Sequence, residues 1–152
     1  MPESQRYDVI IIGAGPAGLS ASVNAAQHKL NALTLEQGNL ANTLDYYYQY
    51  QKYVMSQPAI IPLRSGLPFE AGSREDILAA WHAVATEQKL NIRYHEAVQQ
   101  VVKTGQYFSV TTTQGSYTAN AVILAIGKLG NARRLGIPGE ELERLVEIAA
   151  RQ

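Results

Sequence analysis

The feature that most constrains this chain is a run of glycines set between two opposite kinds of sequence. Tyr7 to Ile12 (YDVIII) is β-branched and lacks polar alternation, as a strand buried on both faces of a parallel sheet requires. Gly13-Ala14-Gly15-Pro16-Ala17-Gly18 follows at once. Pro16 suits a first helical position, where a missing N–H costs nothing, and Ala17, Gly18, Ala21, Ala25 and Ala26 are small enough to let a helix lie close to a sheet. His28 and Lys29 close that helix with positive charge. Ala32 to Leu35 (ALTL) reads as the next strand and ends on Glu36. The pattern predicts one right-handed βαβ unit of about thirty residues.

Within such a unit each glycine has its own task. Gly13 allows the tight turn, Gly15 lacks the Cβ that would hold a diphosphate off the backbone, and Gly18 permits close packing of helix on strand. Phosphates then meet free N–H groups at the positive end of a helix dipole. No Lys or Arg lies between Asp8 and His28, so main-chain amides would carry the diphosphate here. Several charge-assisted hydrogen bonds at ~1.5–3 kcal/mol each outweigh a dipole worth ~0.3–1 kcal/mol. Glu36 stands 18 positions after Gly18. A carboxylate there accepts hydrogen bonds from both ribose hydroxyls of an adenosine and repels a 2′-phosphate; with no Arg close behind it, NADP is disfavoured at this site.

The whole chain has 152 residues, enough for one domain with its own core. It has no cysteine, which excludes a disulfide framework, a Cys-type zinc site, a Cys-ligated cluster and a dithiol redox pair within these residues, and which fits a cytoplasmic location. Thirteen basic against thirteen acidic residues give no basic surface for nucleic acid. Val9 to Ala26 is the most apolar early stretch, but Gly13, Gly15, Pro16 and Gly18 interrupt it, and no basic region precedes it, so neither a signal peptide nor a membrane span is expected.

From Gln37 to Gly72 the pattern is irregular, and only Leu44 to Met55 has the makings of a helix. A loop-rich insert of this length inside a compact domain usually has a binding role or is poorly ordered. Ser73-Arg74-Glu75-Asp76 has the form of a capping box, and Ile77, Leu78, Trp81, Val84 and Ala85 then recur at helical spacing up to about Lys89. Asn91 to Tyr94 is a brief strand. Val98 to Lys103, Tyr107 to Thr113 and Ser116 to Asn120 form an antiparallel meander, and Ala121 to Ile126 (AVILAI) rejoins the parallel sheet before Gly127. Glu140 to Ala150 completes the chain as an amphipathic helix after Pro138-Gly139. The expected fold class is α/β, a Rossmann-like parallel sheet with an antiparallel three-stranded meander as crossover.

Three stretches together resemble a known family. YDVIIIGAGPAGLSAS with Glu36, TANAVILAIG (Thr118 to Gly127) and LGIPGE (Leu135 to Glu140) resemble the FAD-binding domain of two-dinucleotide-domain flavoprotein reductases, the thioredoxin-reductase-like group. NTLDYYYQYQKYV and LPFEAGSREDILAAW are most similar to the bacillithiol-disulfide-reductase-like branch. The resemblance implies FAD as cofactor, with Gly13, Gly15, Pro16 and Ala17 at the pyrophosphate, Gly18 of the same motif counted with the cofactor-binding residues, and Glu36 with Gln37 at the ribose. It puts the backbone of Val98 at the adenine, Ala125 and Gly127 close to the cofactor, and Asn42 and Thr43 where the family's loop approaches the ribityl chain and flavin ring.

The departures from that family bear on the reaction. The Cys-x-x-Cys of thioredoxin reductases is absent, and Ala17 stands where bacillithiol-type proteins usually carry a Cys, so dithiol exchange cannot run on this polypeptide. The family's NAD(P)H-binding domain and its later Gly-Asp motif are not found before Gln152. The expected organisation is therefore an FAD-binding domain over 1–137 and a helix or truncated linker over 138–152, the first half of such a reductase, with the absent NAD(P)H domain or a second copy as partner.

Other residues carry weaker signals. Tyr46, Tyr47, Tyr48, Tyr50 and Tyr53 either wall a flavin ring or else pack their segment onto the domain or face an absent one, the latter reading being preferred. His28, His82 and His95 lack metal-ligand spacing, Trp81 belongs to the core, and Arg133-Arg134 reads as a solvated pair. No residue is a necessary acid, base or nucleophile. Three rival readings stay open from the residues alone: a non-catalytic nucleotide-binding module, an NAD-binding domain of a dehydrogenase, and an S-adenosylmethionine site.

Overall fold

The structure is a computed structural model that describes residues 6–48, 50–55 and 64–127. The helix expected over 140–150, the turn at Pro138, Arg133-Arg134 and the LGIPGE stretch lie outside those residues.

Strand β1 (Arg6–Ile12) is the centre of the architecture. It pairs in parallel with β2 (Ala32–Leu35) on one side and with the far half of β8 (Ser116–Leu124) on the other. Both edges and both faces are therefore covered, and this is why Val9 to Ile12 can be continuously apolar. Helix α1 (Pro16–Gln27) crosses from β1 to β2, with Pro16 at its start as expected. It ends one residue before His28, and Leu30 and Lys29 amides close it on the Ala25 and Ala26 carbonyls. The two basic residues thus sit beyond the last turn rather than in it.

Among the described residues six strands form one sheet in the order β5-β2-β1-β8-β7-β6. Here β5 is Ile92–Arg93, β6 is Val98–Thr104 and β7 is Tyr107–Thr112. The expected break between Asn120 and Ala121 does not exist. Thr118 and Ala119 of β8 pair antiparallel with β7 and parallel with β1 at once, so one strand serves both the meander and the parallel sheet. The change of sequence character at Asn120 marks a change of surroundings, not a turn.

The two faces of the parallel strands bury different partners. Ile10, Ile12, Leu33 and Leu35 face the meander through Val110, Ala119, Val98 and Tyr117. Val9 and Ile11 meet Ala21 and Ala25 of α1, whose small side chains allow the close approach. A third cluster joins Leu19 and Val23 of α1 to Leu40, Leu44 and Leu67 of the insert and Ile77 and Trp81 of α2 (Arg74–Glu87). Each such residue fully buried is worth about 1.5–3 kcal/mol. Trp81 is core as expected, its indole N–H donating to the Pro68 carbonyl at 2.7 Å.

The capping box of α2 is present in full. Ser73 Oγ accepts from the Asp76 amide at 3.2 Å, and Asp76 Oδ2 accepts from the Ser73 amide at 3.0 Å and from its hydroxyl at 2.6 Å. The hydroxyl first, then the amide, hold the Asp76 carboxyl below its ordinary value. A depressed value means stabilisation that is present at neutral pH and lost as pH falls through the folded-state value. Asp76→Asn is therefore expected to lower the thermal midpoint at pH 7, the deficit shrinking as pH falls through the acid range. A deficit that persists unchanged at low pH would contradict this.

The insert corrects one expectation. Leu44 to Met55 is not a helix; a short π-helical turn covers Thr43–Tyr47 and ends where Tyr48 turns extended, and β3 (Tyr53–Val54) pairs with β4 (Gly72–Ser73). The cause is competition for carbonyls. Arg74 Nε donates to the Leu44 carbonyl at 3.0 Å, and Arg74 Nη2 donates to both the carbonyl and the carboxylate of Asp45, the latter at 3.1 Å. Gln51, at φ +58, then interrupts any helix beyond them.

Candidate functional site

The glycine turn stands at the carboxyl ends of β1, β2 and β8, where ligands bind in open α/β sheets. Gly13 has φ +103, and a Cβ there would lie 3.0 Å from the Ala125 carbonyl carbon and closer still to its oxygen. Gly18 is packed even more tightly: its Cβ would stand 2.8 Å from the Gly13 carbonyl carbon. Gly18 thus serves contact between the helix and its own loop, not only between helix and strand. Gly15 is the opposite case. A Cβ added to it meets nothing within 4 Å, so its missing side chain leaves open space in front of α1. That space lies beside the main chain of Pro16 and Ala17.

Glu36 is only 6% exposed, yet among the described residues it forms no ion pair. Its Oε2 accepts from the Ala14 amide at 2.7 Å and its Oε1 from the Gly38 amide at 2.8 Å. An ionised carboxylate has about four acceptor positions, so capacity remains on both oxygens for ribose hydroxyls. The sequence pointed to Glu36 but not to this second task of bracing the glycine turn, nor to Ala14, whose side chain says nothing about its amide. Glu36→Ala is expected to weaken adenosine binding by about 1–3 kcal/mol and to destabilise the fold by about as much, because the fully buried Ala14 loses its amide's acceptor. Glu36→Gln, which keeps one oxygen, should lose less of both. Calorimetric titration beside a urea melt checks it, and unchanged values in both would remove Glu36 from the site.

The other residues expected at the site divide. Ala125 comes to the turn: its amide donates to the Ile12 carbonyl at 2.8 Å, and its Cβ is 3.4 Å from the position of a Gly18 Cβ. Gly127 lies two residues on at φ +64, and no atom crowds it within 4 Å. Asn42 and Thr43 belong to a loop anchored to the turn by the Ala41 amide, which donates to the Ala14 carbonyl at 2.9 Å. Arg74 clamps the far side of that loop, a role its place in the capping box did not suggest. Gln37 is exposed beside Glu36. Val98 opens the meander, half-buried, two residues after Glu96, whose amide donates to the Glu36 carbonyl at 2.9 Å. Tyr94 also lies at this corner, its hydroxyl pushed up by burial and then by the charge of Glu36.

Tyr46, Tyr48, Tyr50 and Tyr53 are 41–75% exposed, so of the preferred reading the part in which they pack their segment onto the domain does not hold for these four. A groove of about 380 Å³ between α2 and β5, lined by His82, Thr86, Lys89 and Tyr94 among others, contains none of the glycine-turn residues. Among the described residues no helix is long and apolar enough to cross a membrane, and no cluster of three His, Cys, Asp or Glu is placed to hold a metal.

A strand, an uncrowded glycine turn at a helix start, and an acid just past the end of the next strand give the arrangement of a dinucleotide-binding α/β domain. The chain belongs to the pyridine nucleotide-disulphide oxidoreductase family, whose model matches residues 10–151. It is 35% identical over 137 residues to a thioredoxin reductase of Treponema pallidum, covering 88% of this chain and 39% of that protein. It is 30% identical over 142 residues to the bacilliredoxin reductase Bdr of Bacillus subtilis, covering 90% and 43%. Among solved structures, the bacillithiol disulfide reductase Bdr (YpdA) of Staphylococcus aureus superposes with a TM-score of 0.78 at 26% identity, over 92% of this chain and 44% of that one. The Bacillus cereus counterpart gives 0.77 at 30% identity, over 92% and 45%. This chain therefore spans about two fifths of the length of the curated relatives it matches, and it corresponds to their N-terminal part.

Proposed function

We propose that this chain is the FAD-binding part of a pyridine-nucleotide-dependent flavoprotein oxidoreductase, thioredoxin-reductase-like but with no Cys-x-x-Cys among its 152 residues. The observation that carries the reading is the uncrowded space at Gly15, bounded by the start of α1 and faced by the brace of Glu36, within a chain of this family. The diphosphate of FAD would lie on the main-chain amides after Gly13, with the adenosine ribose on Glu36 and Gln37 and the adenine against the backbone of Val98. Ala125 and Gly127 would line the passage toward the flavin end, and Asn42 and Thr43 would approach it. Bound flavin supplies the capacity to take a hydride from a nicotinamide and hand the electrons to an acceptor. The chain's own share is to bind and orient, and no residue of it acts as acid, base or nucleophile.

The name of the Treponema relative tells what that protein reduces, and none of these 152 residues is a thiol that could take part in dithiol exchange. A nicotinamide-binding part, a second copy of the chain as partner and a cytoplasmic setting belong to the same proposal.

Absorbance of the purified protein tests it. A flavin spectrum on isolation, or saturable quenching of added FAD fluorescence, is the expected result. Protein that ignores FAD and takes up NAD or S-adenosylmethionine instead would overturn it in favour of the dehydrogenase or methyl-donor reading.

A further inference from the structure

Glu96 has no part in the roles given so far, yet its carboxylate is 1% exposed. Its Oε1 accepts from Thr112 Oγ1 at 2.6 Å and from the Tyr117 hydroxyl at 2.7 Å, both on the meander. Arg93 completes the group: its Nη1 donates to the Tyr117 oxygen at 2.7 Å, lies 4.0 Å from Glu96 Oε2, and its guanidinium stands 5.2 Å from the Tyr117 ring centroid.

The main chain of the same segment reaches the other way. The Glu36 amide donates to the Arg93 carbonyl and the Glu96 amide donates to the Glu36 carbonyl, each at 2.9 Å. Residues 93 and 96 thus grip Glu36 on both sides. The Thr113 amide donates to the Ala97 carbonyl at 2.9 Å, and Gln114 Nε2 donates to the His95 carbonyl at 3.0 Å, which stitches the segment to the meander. An apolar residue at position 96 would fill its volume without the cost of burying a charge. What a carboxylate adds is direction: two fixed donors decide where the segment sits.

We propose that Glu96 is a positioning residue for the adenosine end of the site, holding the backbone of Glu36 at the height from which its carboxylate meets a ribose. The inference rests on the ribose role given to Glu36 above.

The test compares ADP with 2′-deoxy-ADP, whose missing hydroxyl is the one Glu36 would accept from. The unsubstituted chain is expected to prefer ADP about tenfold, the worth of one such hydrogen bond. Glu96→Ala should bring that preference within about twofold by weakening ADP far more than the deoxy nucleotide. Glu96→Gln, which keeps an oxygen for Thr112 and Tyr117, should restore most of it. Should Glu96→Ala fail to fold, Tyr117→Phe removes one donor and should reduce the preference in the same direction. Titrations are run well below the melting midpoint of each variant, so a residue that serves stability alone would shift the melt and leave the ratio intact. A full tenfold preference in folded Glu96→Ala or Tyr117→Phe overturns the proposal. An unsubstituted chain that binds both nucleotides equally would sink the ribose role of Glu36 and this proposal with it. One that binds neither would sink the dinucleotide reading itself.

Discussion

Gly15→Val is expected to give a folded protein that no longer takes up ADP or FAD. Gly15 has φ −74 and ψ −172, an extended conformation that any residue adopts, and its Cβ would meet no atom within 4 Å. The cost to the fold is the difference between Gly and Val ahead of a helix, on the order of 1 kcal/mol. The cost to the ligand is much larger. Two branched methyl groups would occupy the space in which the diphosphate must approach the amides, and losing two charge-assisted hydrogen bonds at ~1.5–3 kcal/mol each weakens binding by roughly a hundredfold or more. Calorimetry with the nucleotide and a thermal melt on one sample separate the two effects. Unchanged affinity would show that no diphosphate rests on this turn.

Gly18→Ala should do the reverse, three residues away. Helix propensity alone favours Ala over Gly by about 1 kcal/mol. Here sterics win, because the new Cβ would stand 2.8 Å from the Gly13 carbonyl carbon and nearer still to its oxygen. That neighbour is main chain, held between β1 and α1, and it cannot rotate aside. A loss of about 3–5 kcal/mol is expected, at the upper end of what single substitutions do and a large share of the ~5–15 kcal/mol that holds a domain together. A urea midpoint close to that of the parent would contradict it. The pair tests the claim that the same motif holds one glycine for the ligand and another for the fold.

How far the sequence told this in advance depends on the range of the interactions involved. The β1–α1–β2 unit, the start of α2 and the meander were legible because each is written in local terms: buried β-branched runs, Pro at a helix start, a capping box, two-residue periodicity. The insert was not. Its form around Thr43–Tyr47 depends on Arg74, about thirty positions away, whose guanidinium takes the carbonyls that a helix would have used. The continuity of β8 was hidden for a related reason, since a strand that leaves one sheet environment for another changes composition without turning. At the site, Glu36 was visible from its spacing, while its hold on the Ala14 amide was not, because main-chain donors leave no trace in residue identity. The Glu96 group was silent in the same way: Arg93, Thr112 and Tyr117 are ordinary surface-strand residues until folding brings them onto one buried carboxylate.

A crystal structure of the chain grown with ADP tests the central claim most directly. The account expects the diphosphate oxygens within hydrogen-bonding distance of the amides that open α1, with the ribose hydroxyls on Glu36. Clear density for protein with only solvent in front of Gly15, at an ADP concentration that saturates related dinucleotide sites, would contradict it.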